Sequence, residues 1–217
     1  MKGLILKDLY TLKGYGKQYF MVFAFMVLWA VFMKTPGFIT IYAVMMGSML
    51  VVSTMSVDEN TSFDRYVLTM PVNTGTLVKS KYLLLLITTF AGVFVSLIFN
   101  LVITLMTITK DRLVMSEDEW AGVLASVTLF LVADAIALPF MFKLGAEKAR
   151  YLYIGITLAI ALLIFGLAKL VQMAGGNLEA IEKIPSLIYC IGFVMVCVAA
   201  LLVSFRASVK AVKNKEW

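Results

Sequence analysis

The chain has 217 residues, of which 62% are hydrophobic, and its mean hydropathy is +0.96. A soluble domain is closer to half apolar, so a soluble fold of this composition would leave large apolar patches facing water. The composition therefore excludes an ordinary soluble domain. The formal net charge is +6. The positive residues collect at the termini and in alternate loops, which favours contact with anionic lipid headgroups over contact with nucleic acid.

Six apolar stretches meet or approach the roughly 20 residues that a bilayer-spanning helix needs. In chain order they cover about 18–33, 38–57, 82–108, 120–142, 151–172 and 185–205. We therefore predict an all-α membrane protein with six transmembrane helices, folded as a single domain over residues 1–217. Residues 1–17 are expected to form an N-terminal interfacial helix, residues 18–205 the six-helix bundle, and residues 206–217 a cytoplasmic tail.

Fourteen of the 19 Lys and Arg residues lie in the N-terminal segment, in the loops after predicted helices 2 and 4, and in the C-terminal tail. Cytoplasmic loops of membrane proteins are enriched in these residues. The bias therefore places both termini and these two loops in the cytoplasm. Tyr82, Tyr151 and Trp120 open predicted helices, and each is expected either to anchor its helix at the membrane interface or to pack within the bundle.

The N-terminal segment carries a weaker amphipathic pattern than the spans that follow it. One helical face is apolar and consists of Ile5, Leu6, Leu9 and Leu12. Lys7 and Asp8 fall on the opposite face, while Lys13 interrupts the apolar one. The pattern predicts an interfacial helix that leads into the first span.

The loop 58–81 is the longest polar stretch on the predicted cytoplasmic side. Read as a helix, it places four apolar side chains on one face: Phe63, Tyr66, Val67 and Met70. The opposite face is polar and carries Asp58, Thr61, Ser62 and Arg65. Pro71 ends this helix, and Asn73 or Thr74 is expected to cap the next one. The pattern leaves two interpretations open: a helix resting on lipid headgroups, or a docking surface for a cytoplasmic partner.

Asp134 is the only acidic residue deep within a predicted span, where a carboxylate costs on the order of 3 kcal/mol on insertion scales. Such a residue either marks a transport pathway or forms a structural hydrogen bond with Ser or Thr on a neighbouring helix. Asn100, in the third span, has the same two interpretations. Pro139 follows Asp134 closely and leaves the carbonyl of Ala135 without its helical donor.

The residue inventory also excludes several chemistries. Histidine is absent, which excludes catalytic triads and metal sites built on that residue. No P-loop motif is present, so the chain has no ATP site of that kind. We therefore expect neither an enzyme activity nor a metal or cofactor bound by this chain.

Three stretches resemble one known family. They are residues 58–72 (DENTSFDRYVLTMPV) with 78–83 (VKSKYL), residues 139–150 (PFMFKLGAEKAR), and the start of the chain with Lys7-Asp8-Leu9-Tyr10. They resemble ABC-2 type permeases, and most of all the small six-helix kind of Gram-positive bacteria. Members of that kind export peptide toxins such as phenol-soluble modulins, or confer bacteriocin and antibiotic self-protection.

The resemblance implies a permease subunit of an ATP-driven ABC exporter in the bacterial plasma membrane, which moves amphipathic peptides, toxins or antimicrobial compounds outward. Two separate ABC ATPase subunits would bind ATP and Mg²⁺, and a second permease, self or sibling, would complete the transporter. The implied ATPase-coupling segment consists of Asp58, Glu59, Phe63, Asp64, Arg65, Tyr66, Met70 and Pro71. The implied second cytoplasmic contact consists of Lys143, Gly145, Glu147, Lys148 and Arg150.

Two other functions stay open at the level of sequence. One is a non-transporting membrane protein, such as an immunity or sensor subunit. The other is a secondary transporter that is driven by an ion or proton gradient and uses Asp134.

Overall fold

The computed structural model describes residues 2–33, 36–69, 73–106, 117–173 and 186–213. Every regular element within these ranges is an α-helix, so the all-α prediction is confirmed for this part of the chain. The helices are α1 (Lys2–Met33), α2 (Pro36–Asn60), α3 (Phe63–Leu68), α4 (Thr74–Met106), α5 (Glu117–Leu144), α6 (Ala146–Met173) and α7 (Ser186–Lys213).

Four helical stretches in the described ranges are long and apolar enough to cross a bilayer: Ile39–Asn60, Thr74–Val102, Gly122–Leu144 and Ile191–Lys213. Helix α6 contributes a shorter apolar stretch, Tyr151–Leu163. Large apolar side chains of α1, α4, α6 and α7 are exposed, as expected where lipid replaces water. The chain is therefore a multi-pass membrane protein. The count of six crossings stays a prediction, since within the described residues neither α1 nor α6 is both long enough and apolar enough to be counted as a span.

Two helix boundaries differ from those predicted. The predicted interfacial helix and the first predicted span belong to one continuous helix, because α1 runs without a break from Lys2 to Met33. The predicted C-terminal tail is helical as far as Lys213, since α7 continues beyond residue 205. The start of α4 agrees with the prediction. The carbonyl of Asn73 accepts hydrogen bonds from the backbone N–H groups of Thr76 at 2.8 Å and Leu77 at 3.3 Å.

The best-packed part of the molecule is one end of the bundle, which we call the α3 end. It contains the α2–α3 and α5–α6 connections, the start of α1 and the end of α7, because the long helices alternate in direction. Contacts between Lys7 and Asp58 and between Tyr82 and Ser208 join these elements. The buried core concentrates there and includes Val51, Val78, Leu85, Leu138, Phe142, Tyr153 and Val212.

Helices α2 and α4 approach each other through glycine. A Cβ atom added at Gly47 would lie 2.5 Å from the backbone oxygen of Thr88, and one added at Gly92 would lie 2.6 Å from that of Ala43. No side chain other than hydrogen fits at either position. Close backbone approach through small residues is a common way for membrane helices to associate. Helix α2 also packs against α1, α5 and α6, so it lies at the centre of the bundle.

Candidate functional site

The α2–α3 corner turns on a residue with an unusual backbone conformation. Helix α2 ends at Asn60, and Ser62 has φ of 51°, in the left-handed region. A backbone hydrogen bond of 3.0 Å from the N–H of Ser62 to the carbonyl of Glu59 closes the turn. Helix α3 then has only six residues. Asp58 and Glu59 therefore belong to the last turn of α2 and not to the short helix that the sequence predicted across this loop.

The predicted apolar face of α3 is divided between the protein and its surroundings. Val67 is buried at 1% exposure, Phe63 is half-buried, and Tyr66 is 59% exposed. The rings of Phe63 and Tyr66 lie 6.4 Å apart. Adjacent residues on a helix point about 100° apart, so Val67 can face the protein while Tyr66 faces away from it. The ring of Tyr66 therefore lies at the surface of the molecule.

Four charged side chains from three helices form a buried cluster beside this corner, which we call the charge cluster: Lys7 and Asp8 of α1, Asp58 of α2 and Lys81 of α4. Lys81 Nζ lies 3.0 Å from both carboxylate oxygens of Asp8 and 2.6 Å from Asp58 Oδ2. Lys7 Nζ lies 2.9 Å from Asp8 Oδ1 and also contacts Asp58 Oδ1. Each ammonium group contacts both carboxylates. Because the cluster contains two ammonium groups and two carboxylates, its charges balance.

Burial distinguishes the charge cluster from a surface ion pair. The side chains of Asp8, Asp58 and Lys81 are 1%, 5% and 3% exposed, and only Lys7 reaches 27%. Such burial requires pairing, because an isolated charge would lose its hydration without compensation. Asp58 was predicted on the polar face of a helix across the loop, whereas in the structure it belongs to α2 and is buried. Its carboxylate contacts Lys7 and Lys81 within the bundle.

Lys7 also connects the charge cluster to α3. Its ammonium nitrogen lies 3.8 Å from the centroid of the Phe63 ring. A cation over an aromatic face is attracted by the negative face of the ring, at about 0.5–2 kcal/mol depending on exposure. Lys7 thus contacts α2 through Asp58 and α3 through Phe63.

The second predicted cytoplasmic contact lies against the first. Gly145 ends α5 with φ of 90°, and its N–H donates a 3.0 Å hydrogen bond to the carbonyl of Met141. A left-handed glycine at this position is a common helix C-cap. A Cβ atom added at Gly145 would lie 2.9 Å from Cδ of Glu59. The end of α2 and the α5–α6 corner are therefore in direct contact.

The structure describes only part of the predicted contact set. Lys143 and Lys148, which flank Gly145, are both exposed. The side chains of Asp64, Arg65, Glu147 and Arg150 lie outside the described part of the structure. Met70 and Pro71 lie outside the described residues altogether.

The membrane interior contains a second polar group around Asp134, which is 2% exposed. Its carboxyl is hydrogen-bonded to Tyr153 of α6 and Ser48 of α2, whose hydroxyls lie 2.7 Å from each other. Asp134 Oδ2 is buried and has no partner among the described residues. Asn100 donates a 2.8 Å hydrogen bond from Nδ2 to Thr40 of α2. Both residues therefore make polar contacts between helices.

The carbonyl that Pro139 leaves without a helical donor finds one on another helix. The hydroxyl of Ser204 in α7 donates to the carbonyl of Ala135. The hydroxyl of Tyr82 contacts Ser204 as well and lies 2.8 Å from Ser208. Tyr82 is 8% exposed. It therefore packs within the bundle and does not anchor α4 at the membrane interface.

The roles of Lys7, Asp8 and Lys81 were missed at the level of sequence. Lys7 and Lys81 were counted toward the orientation of the chain, Lys7 and Asp8 were placed on the polar face of the predicted N-terminal helix, and no ion pair was predicted for any of the three. One signal was present. Asp8 is an acidic residue in a segment otherwise rich in lysine, and Asp58 lies at the end of a long apolar run. Acidic residues in that setting are expected to pair when they are buried.

The fold and these contacts define a multi-pass helical membrane protein whose connecting loops meet at one end. The family described as ABC-2 family transporter protein matches residues 3–213, which is nearly the whole chain. The chain therefore belongs to the ABC-2 transporter family, whose permeases are membrane transport subunits, typically non-catalytic, that generally work with an ABC ATPase. No curated protein and no solved structure matches the chain.

Proposed function

We propose that this chain is the permease subunit of an ATP-driven ABC exporter in the bacterial plasma membrane, with both termini in the cytoplasm. Two ABC ATPase subunits bind ATP and Mg²⁺, and a second permease, the same chain or a sibling, completes the transporter. Amphipathic peptides, toxins or antimicrobial compounds are the proposed cargo. The α3 end is the proposed cytoplasmic face.

The observation that carries this proposal is the contact between the two loops that the family resemblance connects with coupling. Glu59 at the end of α2 packs against Gly145 at the α5–α6 corner. Beside that contact, Tyr66, Lys143 and Lys148 are exposed. An exposed aromatic residue with flanking charges is typical of a protein-docking surface, in which aromatic anchors supply most of the binding energy. In this proposal Asp58 does not contact the ATPase. It stabilises the position of the α2–α3 corner through the charge cluster.

An apolar cleft of about 230 Å³ supports the choice of an amphipathic cargo. It lies between α1, α2 and α4. Its lining includes the small residues Ala43, Gly47, Ala91 and Gly92 of α2 and α4 and the aromatic residues Tyr19, Phe20 and Phe23 of α1. Pockets for apolar ligands are lined predominantly by hydrophobic and aromatic side chains. An alkyl chain or an apolar peptide side chain would fit this chemistry.

The test of the coupling surface is co-expression with a candidate ABC ATPase. Tyr66→Ala and Phe63→Ala are expected to weaken the complex and to lower the permease-dependent part of ATP hydrolysis. Tyr10→Ala is the matched control, because Tyr10 is a similarly exposed aromatic residue of α1, at 65%. The coupling assignment is wrong if complex formation and stimulated hydrolysis are unchanged in both variants.

Gradient-driven transport through Asp134 is the alternative with an observation in its favour, since one oxygen of that buried carboxyl lacks a partner among the described residues. It predicts that Asp134→Asn abolishes flux driven by an ion or proton gradient in vesicles without ATP. A non-transporting immunity or sensor subunit predicts instead a stable chain that binds no ATPase. The co-expression experiment separates that possibility from the proposed function.

A further inference from the structure

Helix α1 differs from its neighbours in how it is joined to the α3 corner. Helices α2 and α4 continue into the α2–α3–α4 connection along the backbone, whereas α1 is separated from it in the chain by all of α2. Near the corner, α1 reaches these elements through Lys7 and Asp8, by way of Asp58, Lys81 and the ring of Phe63.

The charge cluster consists of two balanced ion pairs, one between α2 and α4 and one contributed by α1. Asp58 and Lys81 form a 2.6 Å pair of their own between α2 and α4. Lys7 and Asp8 add one positive and one negative charge from α1, so removing both would leave no unbalanced charge behind. Desolvation offsets much of the attraction within a buried ion pair, which makes such pairs weak contributors to stability and better suited to fixing one arrangement. The α1 pair is thus suited to fixing the position of α1 against α2 and α4.

The far half of α1 contacts the elements that a transport cycle would have to move. Phe23 packs edge-on against Phe99 of α4, with ring centroids 5.1 Å apart. Tyr19, Phe20 and Phe23 form the α1 side of the apolar cleft. A shift of α1 relative to α2 and α4 would therefore open or close that cleft.

We propose that Lys7 and Asp8 are positioning residues that clamp α1 to the α2–α4 pair, so that a displacement of α3 moves α1 together with these two helices. This inference rests on the proposed function, because it assumes that an ATPase displaces α3. Packed elements move as rigid bodies between discrete arrangements, and a buried, charge-balanced contact joins two elements into one such body. When the clamp is absent, α1 lags behind the α2–α4 pair, and the cleft between them no longer keeps its shape as α3 moves.

The test measures distances between the far ends of helices in the complex with the ATPase. Spin labels are attached to cysteines introduced at exposed positions, Phe32 of α1, Leu101 of α4 and Ile191 of α7, after Cys190 and Cys197 are replaced by alanine. The α1–α4 and α4–α7 distances are compared between the nucleotide-free and ATP-trapped complexes. The clamp is removed by the charge-neutral double substitution Lys7→Met with Asp8→Leu, and Lys13→Met, at an exposed lysine of α1, is the control.

In the parent and the control, the α4–α7 distance should shift with ATP while the α1–α4 distance stays constant. In the double variant, the α4–α7 shift should persist, and the α1–α4 distance should now shift or broaden. Two results would overturn the clamp but leave the proposed function intact. One is an α1–α4 distance that stays constant in the double variant, and the other is an α1–α4 distance that already shifts with ATP in the parent. Absence of any α4–α7 shift in the parent overturns the proposed function, and the clamp with it.

The melting temperature of each variant shows whether it is folded. Should Lys7→Met with Asp8→Leu fail to fold, Lys7→Gln with Asp8→Asn keeps side-chain size and polarity and removes the same two charges. The same two distances then decide the matter. A purely structural role would lower the melting temperature and leave the α1–α4 distance unresponsive to ATP.

Discussion

The contact between Ser204 and Ala135 allows a quantitative prediction. Pro139 has no N–H, so the carbonyl of Ala135 has no donor in its own helix, and the hydroxyl of Ser204 supplies one. Both residues are buried, at 4% and 3% exposure. A buried carbonyl left without a partner costs about 1–3 kcal/mol, whereas hydrogen bonds between membrane helices average about 0.6 kcal/mol in double-mutant cycles. We expect Ser204→Ala to lower the free energy of unfolding by about 1–2 kcal/mol.

The cause of that loss can be isolated by restoring the missing donor. Pro139→Ala gives residue 139 an N–H that can reach the carbonyl of Ala135 within α5. The cost of Ser204→Ala should then fall by about 1 kcal/mol relative to its cost in the parent chain. The measurement is a double-mutant cycle of unfolding free energies in bicelles or mixed micelles.

Ser208 provides the matched control for this cycle. It also lies on α7, and its hydroxyl lies 2.8 Å from that of Tyr82 on α4, a contact that does not involve the carbonyl of Ala135. Ser208→Ala should therefore cost the same amount in the parent chain and in the Pro139→Ala background. If Ser204→Ala and Pro139→Ala prove additive as well, the carbonyl of Ala135 is not what Ser204 stabilises, and the reasoning is refuted.

Three further predictions use the same unfolding assay. Lys81→Met leaves two buried carboxylates with one ammonium group and should cost about 3–5 kcal/mol, whereas Lys79→Met, at an exposed neighbour, should stay within about 0.5 kcal/mol. Gly145→Ala forces a left-handed backbone on alanine and crowds Glu59, which should cost about 1–3 kcal/mol; Glu59→Ala should relieve only the steric part. Asp134→Asn keeps the size of the side chain and its capacity for hydrogen bonds, so it should change stability by less than about 1 kcal/mol and leave ATPase stimulation intact. Loss of that stimulation would count against a purely structural Asp134.

Features that depend on local sequence were predictable. Apolar runs long enough to cross a bilayer predicted where α2, α4, α5 and α7 lie, because length and hydropathy are properties of one segment. The start of α4 followed from the prediction that Asn73 or Thr74 caps this helix. A helix in the loop between α2 and α4 was also predicted, although the structure makes it shorter than the pattern suggested.

The charge cluster could not be predicted, because periodicity does not tell whether a helix face meets lipid or protein. The sequence pattern placed Lys7 and Asp8 opposite an apolar face. In the structure Asp8 is buried, while Leu6 and Leu9 are 54% and 42% exposed. In a soluble protein an apolar face points toward the core, but in a membrane protein it can equally point toward lipid. The partner that decides the matter, Asp58, lies 51 residues away from Lys7 in the chain.

If α3 is the coupling element, as proposed above, the two levels at which α2 and α4 are joined would transmit a push on α3 to both helices. Midway along their length, Gly47 and Gly92 bring the two backbones into contact, and at the α3 end Asp58 and Lys81 pair at 2.6 Å. Two points of attachment along one interface resist both separation and rotation. Helix α3, connected to both partners, cannot move one without the other. A substitution at only one of the two contacts should weaken the α2–α4 interface but leave the other contact in place. Gly92→Leu and Lys81→Met together should therefore reduce ATPase stimulation by more than the product of their separate effects.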